Sequence, residues 1–582
     1  MQIENEKFVT LWTKKHKNTN MMNGITERVN ALRAWMEKKG LEAMVVPTMD
    51  PHNSEYVAEH WQCRRWISGF TGSAGTAVVT LSEALLWTDS RYWLQAEEQL
   101  SGTPYRLMKD LVDVTVNEWL RTNVKRKVGY CRDMMIPALK AELLEGVEAE
   151  AVEQDPFDLL WTDRPSFPLS QAERMPDELA GETAESKLGR LTAWLREKGK
   201  KKLLVTELSE IAWTLNLRGD DIPYNPFVIS FLLVRTDGEH TLYVHQEQIS
   251  SDIEAYLEGL HVSMAPYSEA PRELEGEESP IAVWRSIKNP AEQQGFREAH
   301  LRDGIAMVKF LRRLDETQGQ GWTELYVDRL LTSLRAEQPG FRGLSFETIA
   351  GYGPHGAVVH YEPTPETDIP LEQQSFLLLD SGGHYDCGST DITRTIPLGP
   401  LTDEERRVYT LVLKGHLQLQ NIHFPDGTTG LQLDTAARMP IWRAGYDFGH
   451  GTGHGVGHRL GVHEGPCQIR KNCRKDTTQP FHAGQNVTDE PGIYVEGKFG
   501  VRHENTLLCV VAEENEFGRF LKFEPLTLCP YDLRPIVTEM LTNEELKWLN
   551  DYHCHVRETL MPHLTDEADR KWLGEATREL SR

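Results

Sequence analysis

The sequence of 582 residues contains no apolar run that approaches the ~20 residues needed to cross a bilayer. Its first residues lack the apolar segment of a secretory signal, and we interpret residues 1–24 as a polar tail. The eight cysteines are scattered singly and form no C-x-x-C pair, which predicts reduced thiols. These absences predict a protein that stays in the cytoplasm and does not bind membranes.

Positive charge is also scarce. There are 63 Lys and Arg residues against 88 Asp and Glu residues, so the formal net charge is −25. Because affinity for nucleic acids depends largely on cations that neutralise phosphates, the composition argues against a nucleic-acid partner. The chain is too long for one hydrophobic core, and we predict three domains.

Several common catalytic motifs are missing. Neither H-E-x-x-H nor G-x-S-x-G occurs, and GFTGSAG has Thr71 where the first glycine of a nucleophile elbow belongs. The glycines of GTGHGVGH do not fit G-x-G-x-x-G in any register. Residues 492–498 match most of a P-loop, but Phe499 stands where Ser or Thr is required. These segments therefore give no support for a zinc-peptidase, hydrolase, dinucleotide-binding or P-loop motif.

An internal repeat organises the amino-terminal half. Asn30–Val46 resembles Gly189–Val205, and each copy has the pattern of an amphipathic helix, a glycine and an apolar strand. Gly40 and Gly199 suit left-handed helix ends. The repeat predicts two related α/β units, and the long helices and glycine-rich β segments from Asn289 onward predict an α+β catalytic unit. We place the domain boundaries at 25–165, 166–285 and 286–582.

Two aspartates follow a buried strand pattern. Asp380 ends the apolar run SFLLLD, and Asp391 precedes a second short β segment. A carboxylate buried without a positive partner is costly, so a bound cation is one physical interpretation. The alternative is that Asp380 caps the glycine turn at residues 381–383.

A glycine-rich segment carries four histidines, namely His450, His454, His458 and His463. The glycine density argues against a helix and predicts a loop. Imidazole is a common ligand of transition metals, but four histidines cannot all bind one ion. We therefore expect some of them to contact substrate.

Glu490 and Glu504 lie at the two ends of a predicted hairpin that would return the second carboxylate beside the first. The alternative is a pair of surface glutamates, and for either glutamate alone we favour that interpretation. Four carboxylates and one imidazole together would suit two divalent ions such as manganese, with cobalt or zinc as alternatives. Such a site supports hydrolysis.

These residues carry a family resemblance. The catalytic region resembles the pita-bread metallopeptidases, and among them the three-domain Xaa-Pro aminopeptidases (aminopeptidase P). The matching motifs are DSGxxYxxGxTD from Asp380, TRT from Thr393, HGTGHGVG from His450, VHEGP from Val462, TDEPG from Thr488, VRxEN from Val501 and GPHGAVVHYEP from Gly353. The resemblance covers most of residues 25–560 and implies two creatinase-like α/β domains followed by a pita-bread catalytic domain.

The resemblance also implies residue roles. The implied ligands of two metal ions, commonly manganese, are Asp380, Asp391, His454, Glu490 and Glu504. Asp391 and Glu504 would bridge the ions, a bridging hydroxide would attack the scissile carbonyl, and Glu490 would manage its proton. The implied substrate contacts are His360 and His463 on the substrate and tetrahedral intermediate, and His450 and Arg502 along the proline pocket. His503 and His458 depart from the usual pattern, and we expect a structural or exposed role for His458.

The activity implied is removal of an N-terminal residue that precedes proline, by a homodimer. A prolidase is the alternative within the enzymes, since it has a similar site but accepts only dipeptides and usually carries one amino-terminal domain. A binding module that has lost catalysis is the alternative from another class. Such relatives lack the metal ligands, whereas all five are present here.

Overall fold

The computed structural model describes residues 24–276, 278–473 and 476–582. The tail predicted at residues 1–24 therefore lies outside the described residues, except for residue 24. Within the described ranges, no helix combines the length and apolar character required to traverse a bilayer.

The first unit is a six-stranded sheet with helices on both faces. Its strands are ordered β4-β3-β2-β1-β5-β6. Its elements are α1 (24–39), β1 (Ala43–Pro47), α2 (Cys63–Ser68), β2 (Thr76–Thr80), β3 (Ala84–Thr88), α3 (Trp93–Leu100), β4 (Tyr105–Lys109), α4 (Val116–Asn123), β5 (Val128–Tyr130), α5 (Pro137–Leu144), β6 (Ala149–Ala151) and α6 (Pro156–Leu160). The predicted apolar stripe of α1 is buried, and Gly40 follows the helix with a φ of 70°. A left-handed glycine thus ends α1, as predicted.

The second unit repeats the core of the first. Its elements are β7 (Glu173–Arg174), α7 (Asp177–Ala180), α8 (Ala184–Glu197), β8 (Lys202–Val205), α9 (Leu208–Thr214), β9 (Leu217–Arg218), β10 (Phe231–Arg235), β11 (His240–Val244), α10 (Ser251–Gly259), β12 (Val262–Pro266) and α11 (Ile281–Ser286). The sheet order β12-β11-β10-β8 matches β4-β3-β2-β1. Both series have two antiparallel pairings followed by one parallel pairing. This shared topology confirms the predicted pair of related α/β units.

The third unit holds every predicted site motif. Its elements are α12 (Pro290–Thr317), α13 (Glu324–Ala336), β13 (Phe341–Leu344), β14 (Ile349–Tyr352), β15 (Phe376–Ser381), β16 (Gly383–Tyr385), β17 (Gly388–Ser389), β18 (Ile392–Pro397), α14 (Asp403–Gln420), β19 (His423–Pro425), α15 (Gly430–Arg443), β20 (Gly453–Gly455), β21 (Glu464–Ile469), β22 (Asn486–Asp489), β23 (Gly492–Val495), β24 (Phe499–Arg502), β25 (Asn505–Asn515), β26 (Gly518–Pro525), α16 (Asn543–Leu560) and α17 (Glu567–Ala576). Its described strands form small sheets of two to four strands, all paired antiparallel.

The central strand β15 carries Asp380 near its carboxyl end. It pairs with β14 on one side and β18 on the other, both antiparallel. Leu377 and Leu379 belong to the apolar cluster of α12 and α13, whereas Leu378 packs with Tyr361 on the opposite face. Because successive strand residues alternate between faces, Asp380 follows Leu378 onto the second face, where the predicted site lies.

Candidate metal centre

The five predicted ligands come from different elements that meet at one place. Asp380 lies near the end of β15, Asp391 directly precedes β18, and His454 is the middle residue of β20. Glu490 follows β22, and Glu504 joins β24 to β25. β23 and β24 form the hairpin that was predicted between the two glutamates.

The donor atoms of the cluster are close together. Asp391, His454 and Glu504 each offer one ligand atom within 4.8 Å of the others. Nε2 of His454 is 3.5 Å from Oδ2 of Asp391 and 3.5 Å from Oε1 of Glu490. Oδ1 of Asp380 is buried and, among the described residues, has no hydrogen-bond partner. All five side chains line one pocket.

Burial and mutual repulsion disfavour the ionised forms of the carboxyl groups in this pocket. Burial raises the pKa of Asp391 well above its ordinary value, and Asp380 adds to the shift. Burial and then Asp391 raise the pKa of Glu504 in the same way. Burial raises the pKa of Glu490 to about 7, against the opposing effect of Arg502. A divalent ion would remove this penalty, so the donor set fits one or more such ions.

The orientation of His454 suits a ligand. Its Nδ1 is 2.9 Å from the carbonyl oxygen of Gly455. A carbonyl can only accept, so Nδ1 carries the proton and Nε2 presents a lone pair to the carboxylates. Burial lowers the pKa of His454 to about 3, which keeps the imidazole neutral.

Glycines around His454 allow a close approach of strands. A Cβ at Gly453 would lie 1.9 Å from the carbonyl oxygen of Thr488, so only glycine lets β20 pack this closely against β22. The loop predicted for this segment therefore contains a three-residue strand, β20. The strand brings His454 to the end of β22, beside Glu490.

The TRT motif on β18 supports Glu504 from two sides. The Thr393 hydroxyl donates to Oε2 of Glu504 at 2.8 Å. On the other face, the buried Arg394 guanidinium donates to the Glu504 carbonyl at 2.6 Å and to Oδ1 of Asn505 at 2.9 Å. The side chain and the backbone of Glu504 are therefore both held in place.

Arg502 and His450 are joined through a tyrosine. Nη2 of Arg502 donates to Oδ2 of Asp380 at 2.6 Å, and Nη1 donates to the hydroxyl of Tyr494 at 2.7 Å. Nδ1 of His450 donates to the carbonyl of Gly451 at 2.7 Å, so its Nε2 accepts from the Tyr494 hydroxyl at 2.8 Å. His450 and Arg502 thus lie behind the lining of the pocket, in contrast to the five candidate ligands. Their contact with a proline ring remains a prediction.

His360 and His463 line the pocket together with residues of the first unit. Nδ1 of His463 lies 2.6 Å from Oε2 of Glu55. Burial lowers the pKa of His463, but Glu55 outweighs it and leaves the pKa raised. Sequence reasoning missed Glu55, Tyr56 and Tyr92. The available signal was in the repeat, where Ser-Glu-Tyr in the first copy stands against Ser-Glu-Ile in the second.

The two additional histidines lie outside the pocket. His458 is buried against Phe296, with ring centroids 5.4 Å apart. Its carbonyl accepts from Nη2 of Arg218 at 3.1 Å, which joins the second unit to the third. His503 is buried beside Tyr409, with ring centroids 4.4 Å apart. The surroundings of both rings are those of packed core residues.

The whole chain is similar to known proteins. Residues 294–510 match the metallopeptidase family M24, and residues 519–580 match the C-terminal region of that peptidase. Residues 28–164 and 163–278 each match the creatinase/prolidase N-terminal domain. These matches confirm the predicted fold class, in which two creatinase-like domains precede a pita-bread catalytic domain.

Relatives match over nearly their full length. The chain is 35% identical to Aminopeptidase P1 of Lotus japonicus, over 94% of this chain and 99% of the relative. It is 37% identical to the probable Xaa-Pro aminopeptidase P of Laccaria bicolor, over 94% and 92% of the two chains. The fold also matches the crystal structure of the X-prolyl aminopeptidase of Caenorhabditis elegans, which is described as a cytosolic enzyme with a di-nuclear active site. The TM-score is 0.91 at 33% identity, and the match covers 96% of this chain and 100% of that one.

Proposed function

The chain belongs to metallopeptidase family M24, and from this membership we propose that it is a metal-dependent Xaa-Pro aminopeptidase. It releases the N-terminal residue of peptides whose second residue is proline. The observation that carries the proposal is the convergence of four carboxylates and one neutral imidazole in a single pocket. The two amino-terminal units favour this activity over that of a prolidase.

In this proposal five residues would hold two divalent ions, namely Asp380, Asp391, His454, Glu490 and Glu504. Manganese would be the bound metal, with zinc and cobalt as alternatives, and Asp391 and Glu504 would be the ligands shared by the two ions. The buried, unpartnered Oδ1 of Asp380 and the raised pKa values of Asp391 and Glu504 support the assignment. When bound, the ions would activate a water molecule for attack and polarise the scissile carbonyl.

The protein's own residues position the substrate and move the proton. Glu490 takes the proton released by the nucleophile and passes it towards the proline nitrogen. His463 donates its Nδ1 hydrogen to Glu55, which also raises the pKa of the ring, and in the protonated form of the imidazole the Nε2–H is the group left for the substrate. His360 and His463 stabilise the negative charge that develops on the carbonyl oxygen.

Selectivity for proline follows from the chemistry of the bond. An X-Pro bond is a tertiary amide without an N–H, and the ring restricts the shape of the peptide. In our proposal His450 and Arg502 contribute to the wall that receives this ring, and the hydroxyl of Tyr494 is hydrogen-bonded to both of them. We further propose a cytosolic homodimer, on the basis of the similarity to the cytosolic nematode enzyme and the family resemblance.

The test is a substrate panel with protein that has been stripped of metal and reloaded with one metal at a time. We expect manganese-loaded protein to release glycine from Gly-Pro-Xaa tripeptides and to leave Gly-Ala-Xaa intact. Cleavage confined to the dipeptide Gly-Pro would instead identify a prolidase. A lack of hydrolysis with every metal, together with a lack of bound metal, would favour the non-catalytic binding module.

A further inference from the structure

The first unit supplies a wall of the catalytic pocket and contacts His360 there. Tyr92 directly precedes α3, more than one whole domain away in sequence from His360. Its hydroxyl lies 3.0 Å from Nδ1 of His360, and the two rings meet edge to face with centroids 5.5 Å apart. Both residues line the pocket of the five candidate ligands. A side chain of an amino-terminal domain therefore binds the ring of a proposed substrate-binding histidine.

A second hydrogen bond fixes the hydroxyl of Tyr92. Oγ of Ser73 lies 2.7 Å from it. Ser73 belongs to the GFTGSAG loop, and a Cβ at Gly72 would lie 2.7 Å from Cδ1 of Tyr92, so glycine is required for the loop to pack on the tyrosine ring. The buried Arg64 donates to the backbone carbonyls of Phe70 and Gly72. The loop is thus built around the tyrosine and holds it at one position.

We propose that Tyr92 is a positioning residue that holds His360 in the tautomer and orientation needed to donate from Nε2 to the scissile carbonyl. The inference rests on the role of His360 in the proposed function. A neutral imidazole has one donor and one acceptor nitrogen, and its partner decides which is which. In the proposed arrangement, the Ser73 hydroxyl donates to the tyrosine oxygen, the Tyr92 hydroxyl donates to Nδ1, and the imidazole hydrogen is therefore on Nε2.

Among the described residues, no hydrogen-bond partner of Nε2 of His360 is present, although the side chain lines the pocket. Nε2 is therefore the nitrogen available to a substrate. Without the hydroxyl of Tyr92, the ring would be free to exchange tautomers and to rotate, which would weaken a contact that matters most in the transition state.

The test uses the full-length, manganese-loaded protein and a Gly-Pro-Xaa tripeptide. Tyr92→Phe keeps the ring and its packing but removes the hydroxyl. We expect kcat to fall roughly three- to tenfold, with KM changed less than about twofold, which is the size of one neutral hydrogen bond. The matched control is Tyr105→Phe, because Tyr105 lies on β4 of the same unit, and its buried hydroxyl has no partner among the described residues. This control should keep the wild-type kcat.

A double-mutant cycle shows whether Tyr92 acts through His360. His360→Ala should lower kcat by about a hundredfold, as expected for the loss of a donor to a developing oxyanion. Adding Tyr92→Phe to His360→Ala should then lower kcat no further. Equal losses from Tyr92→Phe in both backgrounds, or wild-type kcat in Tyr92→Phe, would overturn the inference. Inactivity of the wild-type and Tyr105→Phe proteins alike would instead contradict the proposed function, and the inference would fail with it.

Discussion

Replacing Asp391 with asparagine should stabilise the metal-free protein while it abolishes the response to metal. Asp391 is buried and has ligand atoms of His454 and Glu504 within 4.8 Å. Two unit charges at that distance repel by roughly 3 kcal/mol at an effective dielectric constant of about 20. Protonation already relieves part of this repulsion, because the pKa values of Asp391 and Glu504 are raised. We therefore expect the metal-free variant to gain about 1–3 kcal/mol.

The assay is thermal unfolding followed by tryptophan fluorescence, with and without manganese. A gain of this size corresponds to a rise of several degrees in the melting temperature of a domain. In wild-type protein, manganese should raise the melting temperature because the ions bind only the folded site. In Asp391→Asn this rise should disappear together with the peptidase activity.

The matched control is Asp551→Asn on the exposed face of α16, which changes the net charge equally but breaks only a surface pair with Lys547. It should leave both the metal response and the activity unchanged. A lower stability of metal-free Asp391→Asn than of metal-free wild type would refute the proposed repulsion among the carboxylates. Full retention of the manganese-induced rise would refute the ligand assignment.

Three further predictions concern the same centre. Glu490→Gln should remove turnover while circular dichroism stays native. The pKa of Glu490 is raised from 4.5 to about 7, so its protonated form stabilises the metal-free protein by up to about 3 kcal/mol below pH 4.5, and this stabilisation is lost as pH rises through 7. The manganese-induced rise in melting temperature should therefore grow from pH 5 to pH 8. A rise that stays constant over this range would contradict the prediction. Gly453→Ala should displace β20 and abolish metal binding measured by elemental analysis, whereas Gly189→Ala on the exposed side of α8, where a Cβ has open space, should preserve it.

Some of the architecture could be predicted because local pattern and final structure agree. The helix, glycine and strand of each amino-terminal unit could be predicted, because Gly40 and Gly199 end their helices in a left-handed backbone conformation that depends only on the residue itself. The apolar run before Asp380 predicted a buried strand, because a strand that is buried on both faces has a continuous apolar sequence. The hairpin between Glu490 and Glu504 followed from glycine turns and β-type residues.

Other features depend on contacts between distant residues. Glu55 and Tyr92 contact His463 and His360 only because the first unit packs against the catalytic unit, and the Ser-Glu-Tyr of the repeat does not indicate that packing. The strand β20, which carries His454, packs against β22 only because Gly453 has no Cβ. The pairing of Arg502 with Asp380 likewise joins two strands that are far apart in sequence.

The central claim is that hydrolysis depends on metal held by these five side chains. Its most direct test is to titrate metal-free protein with manganese while following both bound metal, by elemental analysis after desalting, and the release of glycine from a Gly-Pro-Xaa peptide. We expect activity to rise from zero and to reach its plateau when two ions are bound per chain. Full activity of the metal-free protein, or a plateau reached without bound metal, would contradict it.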